Sequence, residues 1–158
     1  MVRAKVKKAK EMNPKHFKST KRFTGFPCTH RQWLAQSHCK YVHGYSREFY
    51  FEFAASALTP EGWVVDFGGL KEIKQFLEHN FDHTFLASSD DPEMETWQEL
   101  DKKGVIQLRV LPNAGMEGTA FWVYQEASRI LKWLYGERVW ITKVQVSENE
   151  KNSAFYEP

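Results

Sequence analysis

The residues that could do chemistry gather in a few short stretches. The first is His38-Cys39-Lys40-Tyr41-Val42-His43-Gly44-Tyr45-Ser46. On a strand, side chains two apart project from one face, so His43 and Tyr45 can aim at one point. His30 ends an earlier Phe- and Thr-rich stretch and can approach that point from a neighbouring strand. A catalytic zinc takes three protein ligands and keeps a fourth position open. His30 and His43 would supply two imidazoles and Tyr45 a phenol, a good donor only when ionised; His38 is a nearby substitute. Two separated histidines also occur as plain core or surface residues. Asp82-His83 in Asn80-Phe81-Asp82-His83-Thr84 puts a carboxylate beside an imidazole, a pairing that tunes proton transfer near neutral pH. The dipeptide works as a unit only in a loop or at a helix start, and is otherwise an incidental polar loop. Glu148 shares the parity of Val144 and Val146. A carboxylate carried inward at a sheet's end needs a partner, and a guanidine-like ligand edge would serve; a strand-end acid already in solvent is the alternative.

These residues need elements to hold them. The stretch 17–30 reads as a strand bent near Gly25 and Pro27, and 31–42 as a loop. Residues 43–57 alternate cleanly, with Phe49, Phe51 and Phe53 on one face and Tyr50 and Glu52 on the other. Pro60-Glu61-Gly62 supplies a turn, and Trp63–Phe67 reads as the returning strand of a hairpin. Leu70, Ile73, Phe76 and Leu77 recur at helical spacing, with Asn80 as a stop. A polar loop is expected over 81–91, then a short helix from Pro92 to Gly104 and a strand over 105–111. Ala120, Val123, Ala127, Leu131 and Leu134 make the stripe of a long helix from Glu117 to Tyr135, closed by Gly136. In a last strand over 138–148, Trp140, Thr142, Val144, Val146 and Glu148 would share a face. Hairpin strands with helices inserted later predict an α+β domain: a four-stranded antiparallel sheet with two helices on one face. Such a sheet leaves a face and two edges uncovered, so a homo-oligomer is expected.

Bulk composition narrows the function class. At 158 residues the chain fits one domain. No apolar run approaches the roughly 20 residues of a membrane helix, and the basic N-terminus lacks the apolar segment of a secretory signal. Cys28 and Cys39 are the only cysteines, too few for a disulfide framework, and read as reduced thiols of a cytoplasmic protein. Residues 1–22 hold nine Lys or Arg against Glu11, leaving 13 basic and 19 acidic side chains in the rest. The boundaries expected are a basic arm over 1–16 and one domain over 17–158. Such an arm could bind RNA or a polyphosphate, although short basic tails are solvated by default.

The order of these motifs resembles the 6-pyruvoyltetrahydropterin synthase superfamily, which includes the 6-carboxytetrahydropterin synthases of the queuosine route. The resemblance runs from the Phe17 strand to Tyr156. It rests on Cys28-Thr29-His30, Cys39-Lys40-Tyr41-Val42-His43-Gly44-Tyr45 and Gly62-Trp63-Val64-Val65-Asp66-Phe67. Phe81-Asp82-His83, Glu117 before the long helix, and Val146-Ser147-Glu148 complete it. It implies zinc at His30, His43 and Tyr45, the last standing where the family has a third histidine. It implies catalysis by Cys39 assisted by Asp82 and His83, and a pterin gripped at its amino-pyrimidine edge by Glu148. The activity implied is a lyase-type conversion of 7,8-dihydroneopterin triphosphate to a 6-pyruvoyl- or 6-carboxytetrahydropterin. Triphosphate is lost, and Arg47 or lysines are candidates to face it. The fold implied is the tunnelling type, assembled as a hexamer with sites between subunits. The alternative is a non-catalytic member that binds a pterin or nucleotide without a full zinc site.

Overall fold

The computed structural model describes residues 12–158; most of the basic arm read over 1–16 lies outside the described residues. Six strands and three α-helices follow in the order β1 (Ser19–His30), β2 (His43–Ala55), α1 (Lys71–Phe81), β3 (Thr84–Ser88), α2 (Met94–Lys102), β4 (Leu108–Leu111), α3 (Met116–Tyr135), β5 (Val139–Ser147) and β6 (Ser153–Tyr156). The strands form one sheet in the order β4-β3-β1-β2-β5-β6. β1, β2, β5 and β6 pair antiparallel, whereas β3 pairs parallel with both β1 and β4. In place of the expected four-stranded antiparallel sheet there is a six-stranded mixed one, whose antiparallel part, β1-β2-β5-β6, runs to one edge and whose parallel part, β3 and β4, forms the other.

β2 organises the core. Its alternation puts Phe49, Phe51 and Phe53 inward at 0% exposure, and each such burial stabilises by roughly 1.5–3 kcal/mol. Its outward residues pair across strands, with Lys18 to Glu52 at 3.0 Å and Arg22 to Glu48 at 3.3 Å. α1 buries Ile73, Leu77 and Phe81 on this sheet face, and α3 buries Ala120, Val123, Ala127 and Leu131. The alanines of α3 let its backbone come close to β5.

Four expectations fail for identifiable reasons. β3 lies where a polar loop was expected, because all five of its residues are buried and no alternation betrays it. Leu86 enters the main core, while Phe85 meets Trp97 of α2 at 4.7 Å. α2 is thus a third helix rather than part of a two-helix layer. Trp63–Phe67 is not a strand: Val64 and Val65 are both buried, and Arg138 Nη1 donates to the carbonyls of Ala57 and Val64 at 2.9 Å each. Asp66 instead accepts the Gly68 N–H and caps a short 3-10 turn leading into α1. In β5, Trp140 and Thr142 do not share the face of Val144. Glu52 pairs with Lys143 but the adjacent Phe53 pairs with Ile141, so β5 carries an extra residue there. That bulge puts Val139, Ile141, Val144 and Val146 inward and leaves Trp140 exposed. A matching irregularity in β1 lies between Phe23 and Phe26, which pair with Phe49 and Arg47, and Gly25 takes the positive φ of 86° needed there.

Candidate active site

The β1–β2 register builds the first corner. His30 pairs with His43, Thr29 with Gly44 and Cys28 with Tyr45. Gly44 has no room for a side chain: a Cβ there would lie 2.7 Å from both the Cys28 carbonyl oxygen and Thr29 Cγ2. This close approach sets the two imidazole rings 4.6 Å apart. His30 Nδ1–H donates to the Ala114 carbonyl at 3.0 Å, and His43 Nδ1–H to the Tyr41 carbonyl at 2.7 Å. Both rings therefore turn a bare Nε2 lone pair to the site, and that of His30 is buried without a partner. Carbonyls behind imidazoles are how ligating histidines are oriented. Burial, and after it the charge of Arg47, push His30 down to about 4, so its lone pair is free at neutral pH.

The third expected donor is committed elsewhere. The Tyr45 ring stands edge-on to His43 at 5.7 Å. Its hydroxyl lies beside the Glu148 carboxylate, which is the main reason its pKa is raised. A phenol beside a carboxylate keeps its proton, the opposite of what ligation requires. Among the described residues no three His, Cys, Asp or Glu side chains gather at metal-binding distance. The residues present prepare two nitrogen ligands, and they do not fit a three-donor zinc site. His38 is exposed in the short 3-10 turn His38–Lys40; its carbonyl accepts the Tyr41 N–H at 3.1 Å, and its imidazole has no hydrogen-bond partner among the described residues.

Glu148 follows the last residue of β5, with the inward parity expected from Val144 and Val146. Its N–H donates to the Asn152 carbonyl at 3.0 Å, and Asn149 Oδ1 accepts from the Lys151 and Asn152 amides. This turn to β6 holds the carboxylate at the rim of a polar groove of about 530 Å³ shared with Tyr45, Gln145 and Arg22. Cys39 sits half-buried in the 3-10 turn, near Tyr45. The Cys39 carbonyl accepts from the Gln32 amide at 2.9 Å, which ties that turn to the end of β1. His30, His43, Tyr45, Glu148 and Cys39 thus belong to one neighbourhood.

Asp82 and His83 do form the expected unit, His83 Nδ1–H donating to Asp82 Oδ1 at 2.6 Å. His83 has a φ of 56° and donates its amide to the Pro27 carbonyl. Both side chains are exposed; His83 lines a groove with Tyr45, Val105 and Gln107, and among the described residues no hydrogen bond joins Asp82 or His83 to the imidazole pair. Glu117 is exposed in the first turn of α3.

Arg47 differs from its expected place. It is 1% exposed, pointing inward beside Phe49, with Nη1 donating to Thr119 Oγ1 at 3.0 Å and Nη2 to the Ala114 carbonyl at 3.2 Å. A guanidinium so enclosed does not present itself to a triphosphate in solvent. The sequence held the signal for this: Arg47 has the parity of Phe49, Phe51 and Phe53.

An α+β chain with a curled mixed sheet, paired imidazoles at one strand end and a carboxylate at another has clear relatives. The family model of 6-pyruvoyl tetrahydropterin synthase matches residues 19–158, and the chain belongs to that family. It is similar to a 6-carboxy-5,6,7,8-tetrahydropterin synthase of Rickettsia felis, 35% identical over 70 residues that cover 44% of this chain and 51% of the relative. A probable enzyme of the same name from Halobacterium salinarum is 32% identical over 90 residues, 56% of this chain and 57% of the relative. The chain spans about half the length of the curated relatives it matches. Among solved structures, an uncharacterized protein of Wolinella succinogenes superposes with a TM-score of 0.77 at 19% identity, covering 89% of this chain and 97% of the other. The 6-pyruvoyl tetrahydropterin synthase of Plasmodium vivax gives 0.62 at 14% identity, covering 90% and 98%. These structural likenesses carry the fold. Among the described residues no helix is long and apolar enough to cross a membrane.

Proposed function

We propose that this chain is a pterin-processing enzyme acting on 7,8-dihydroneopterin triphosphate, with Glu148 as the pterin anchor and Cys39 as the proton-transferring group. The observation that carries the reading is the proximity of Tyr45 and Glu148, which line one groove and of which the carboxylate raises the phenol pKa. It joins the strand end bearing the imidazoles to the strand end bearing the carboxylate, so a ring held at Glu148 extends its 6-substituent toward His30 and His43. The amino-pyrimidine edge of a pterin offers two parallel N–H donors, which match one carboxylate as a guanidinium does. Cys39 then takes a proton from the substituent carbon, and the electron pair left behind expels triphosphate from the neighbouring carbon. The bare Nε2 atoms of His30 and His43 accept hydrogen bonds from the substituent's hydroxyls and orient them. In this reading zinc binds weakly, through His30 and His43 alone.

Asp82 and His83 assist from a neighbouring subunit in a homo-oligomer, a hexamer on the family pattern. Exposed Trp133, Trp140 and Phe155 supply apolar surface for assembly. The location is cytoplasmic, and the 6-substituent of the product is pyruvoyl or carboxy. A second reading, a pterin-binding member without turnover, is favoured by the engagement of Tyr45 with Glu148. Product identification after incubation with 7,8-dihydroneopterin triphosphate, beside metal analysis of the purified protein, decides between them. A 6-substituted tetrahydropterin whose formation drops more than about tenfold in Cys39→Ala, with pterin binding kept, supports the enzyme. Pterin binding with no product supports the second reading, and absence of pterin binding refutes both.

A further inference from the structure

The Ala114 carbonyl accepts two hydrogen bonds from cationic or imidazole groups, one from His30 Nδ1 at 3.0 Å and one from Arg47 Nη2 at 3.2 Å. The two nitrogens are therefore no farther apart than these bonds laid end to end. A metal on the opposite ring nitrogen of His30 would stand within roughly 10 Å of the guanidinium. The hydrogen-bond partners of Arg47 are a carbonyl and the Thr119 hydroxyl, both neutral, and among the described residues no salt bridge involves it; the Glu148 carboxylate acts on it only through space. Enclosure at 1% exposure also keeps water from screening it.

We propose that Arg47 is the resident cation of this site: its guanidinium fills the positive electrostatic role at the foot of the imidazole pair and weakens the binding of a divalent metal there. The missing third donor at Tyr45 and the charge of Arg47 are then two separate obstacles to zinc. Each carries an independent cost. A dication repelled by a guanidinium across roughly 10 Å loses about fourfold in affinity at a water-like dielectric, and a few hundredfold at an effective value near 20. Supplying a third imidazole at position 45 leaves that repulsion in place. The inference concerns the metal corner of the proposed pterin site, and its test uses no pterin.

The experiment is zinc competition against a chromophoric chelator at fixed pH and salt, on the full chain. Arg47→Met keeps the apolar stem and removes the charge, and such replacements of buried ions are often tolerated or stabilising. The Ala114 carbonyl keeps His30 and the Thr119 hydroxyl as donors. Arg47→Gln is a second neutral variant should Met fail to fold, and Arg47→Lys keeps the charge. The neutral variant that folds should bind zinc at least about threefold more tightly than wild type, while Lys stays near wild type. Combined with Tyr45→His, the neutral change should again add at least about threefold. A gain below threefold in a folded neutral variant, or an equal gain from Lys, overturns the proposal. Because substrate is absent from this assay, failure here leaves the pterin reading standing. Loss of the pterin reading likewise leaves the zinc result intact.

Discussion

Acidification should destabilise this protein through one histidine more than through any exposed one. His30 is 4% exposed, and burial together with the Arg47 charge lowers it from 6.5 in a free side chain to about 4. Between those values the unfolded chain binds a proton at this position that the native state refuses. Stability therefore rises with pH across the window: the contribution is fully present above 6.5 and is lost as pH falls toward 4. For one group the loss amounts to about 2 kcal/mol at pH 5 and about 3 kcal/mol near pH 4. The perturbation that isolates it is His30→Asn, neutral at every pH, which keeps an N–H donor in reach of Ala114. Urea unfolding of both proteins, metal-free and at one fixed protein concentration, gives the comparison at pH 7 and pH 4.5. Wild type should lose roughly 2–3 kcal/mol more than the variant on acidification. A differential below about 1 kcal/mol would refute the claim that His30 is held neutral by its surroundings.

Three further outcomes follow from the same geometry. Glu148→Gln should weaken pterin binding by about 1.5–3 kcal/mol, the scale of a hydrogen bond to a charged group; unchanged affinity in calorimetry removes Glu148 from the site. Tyr45→His should tighten zinc by supplying a third imidazole, and equal, tight binding by wild type and variant would show that Tyr45 is no defect. Gly44→Ala should cost about 1–3 kcal/mol, because the new methyl meets the Cys28 carbonyl and Thr29 at 2.7 Å; a urea midpoint shift worth less than about 0.5 kcal/mol would mean β1 and β2 separate there freely.

Much of this was legible in the sequence, and the failures share one physical origin. Alternation exposed β2, helical spacing exposed α1 and α3, and motif order led to the family. Each signal belongs to an element with one dry face and one wet face. β3 has no wet face, since Leu86 packs into the main core and Phe85 against Trp97. β6 is four residues long and was too short to read. The approach of His30 to His43 follows from strand parity and a neighbouring strand, and the proximity of Tyr45 to Glu148 does not. That contact depends on the sheet bringing the end of β5 beside the start of β2, a long-range consequence with no local pattern. Arg47 has the buried parity of Phe49, Phe51 and Phe53, but a charge normally signals solvent, which is why it reads as a candidate to face the triphosphate.

The two bulges divide the sheet into regions of unequal tolerance to insertions and deletions. β1 and β5 each carry one residue more than the uninterrupted β2 between them. Deleting one residue at Thr24–Gly25, or at Thr142, would convert a bulge into regular ladder without turning Phe23, His30, Ile141 or Val146 to the opposite face. Deleting one residue of Ser46–Glu48 has no such refuge. It would reverse His43 and Tyr45 relative to Phe49–Phe53, so that either the imidazole or the phenylalanines must face water. Length variation among natural descendants of this sequence should therefore collect in the strands flanking β2, while β2 itself keeps its count.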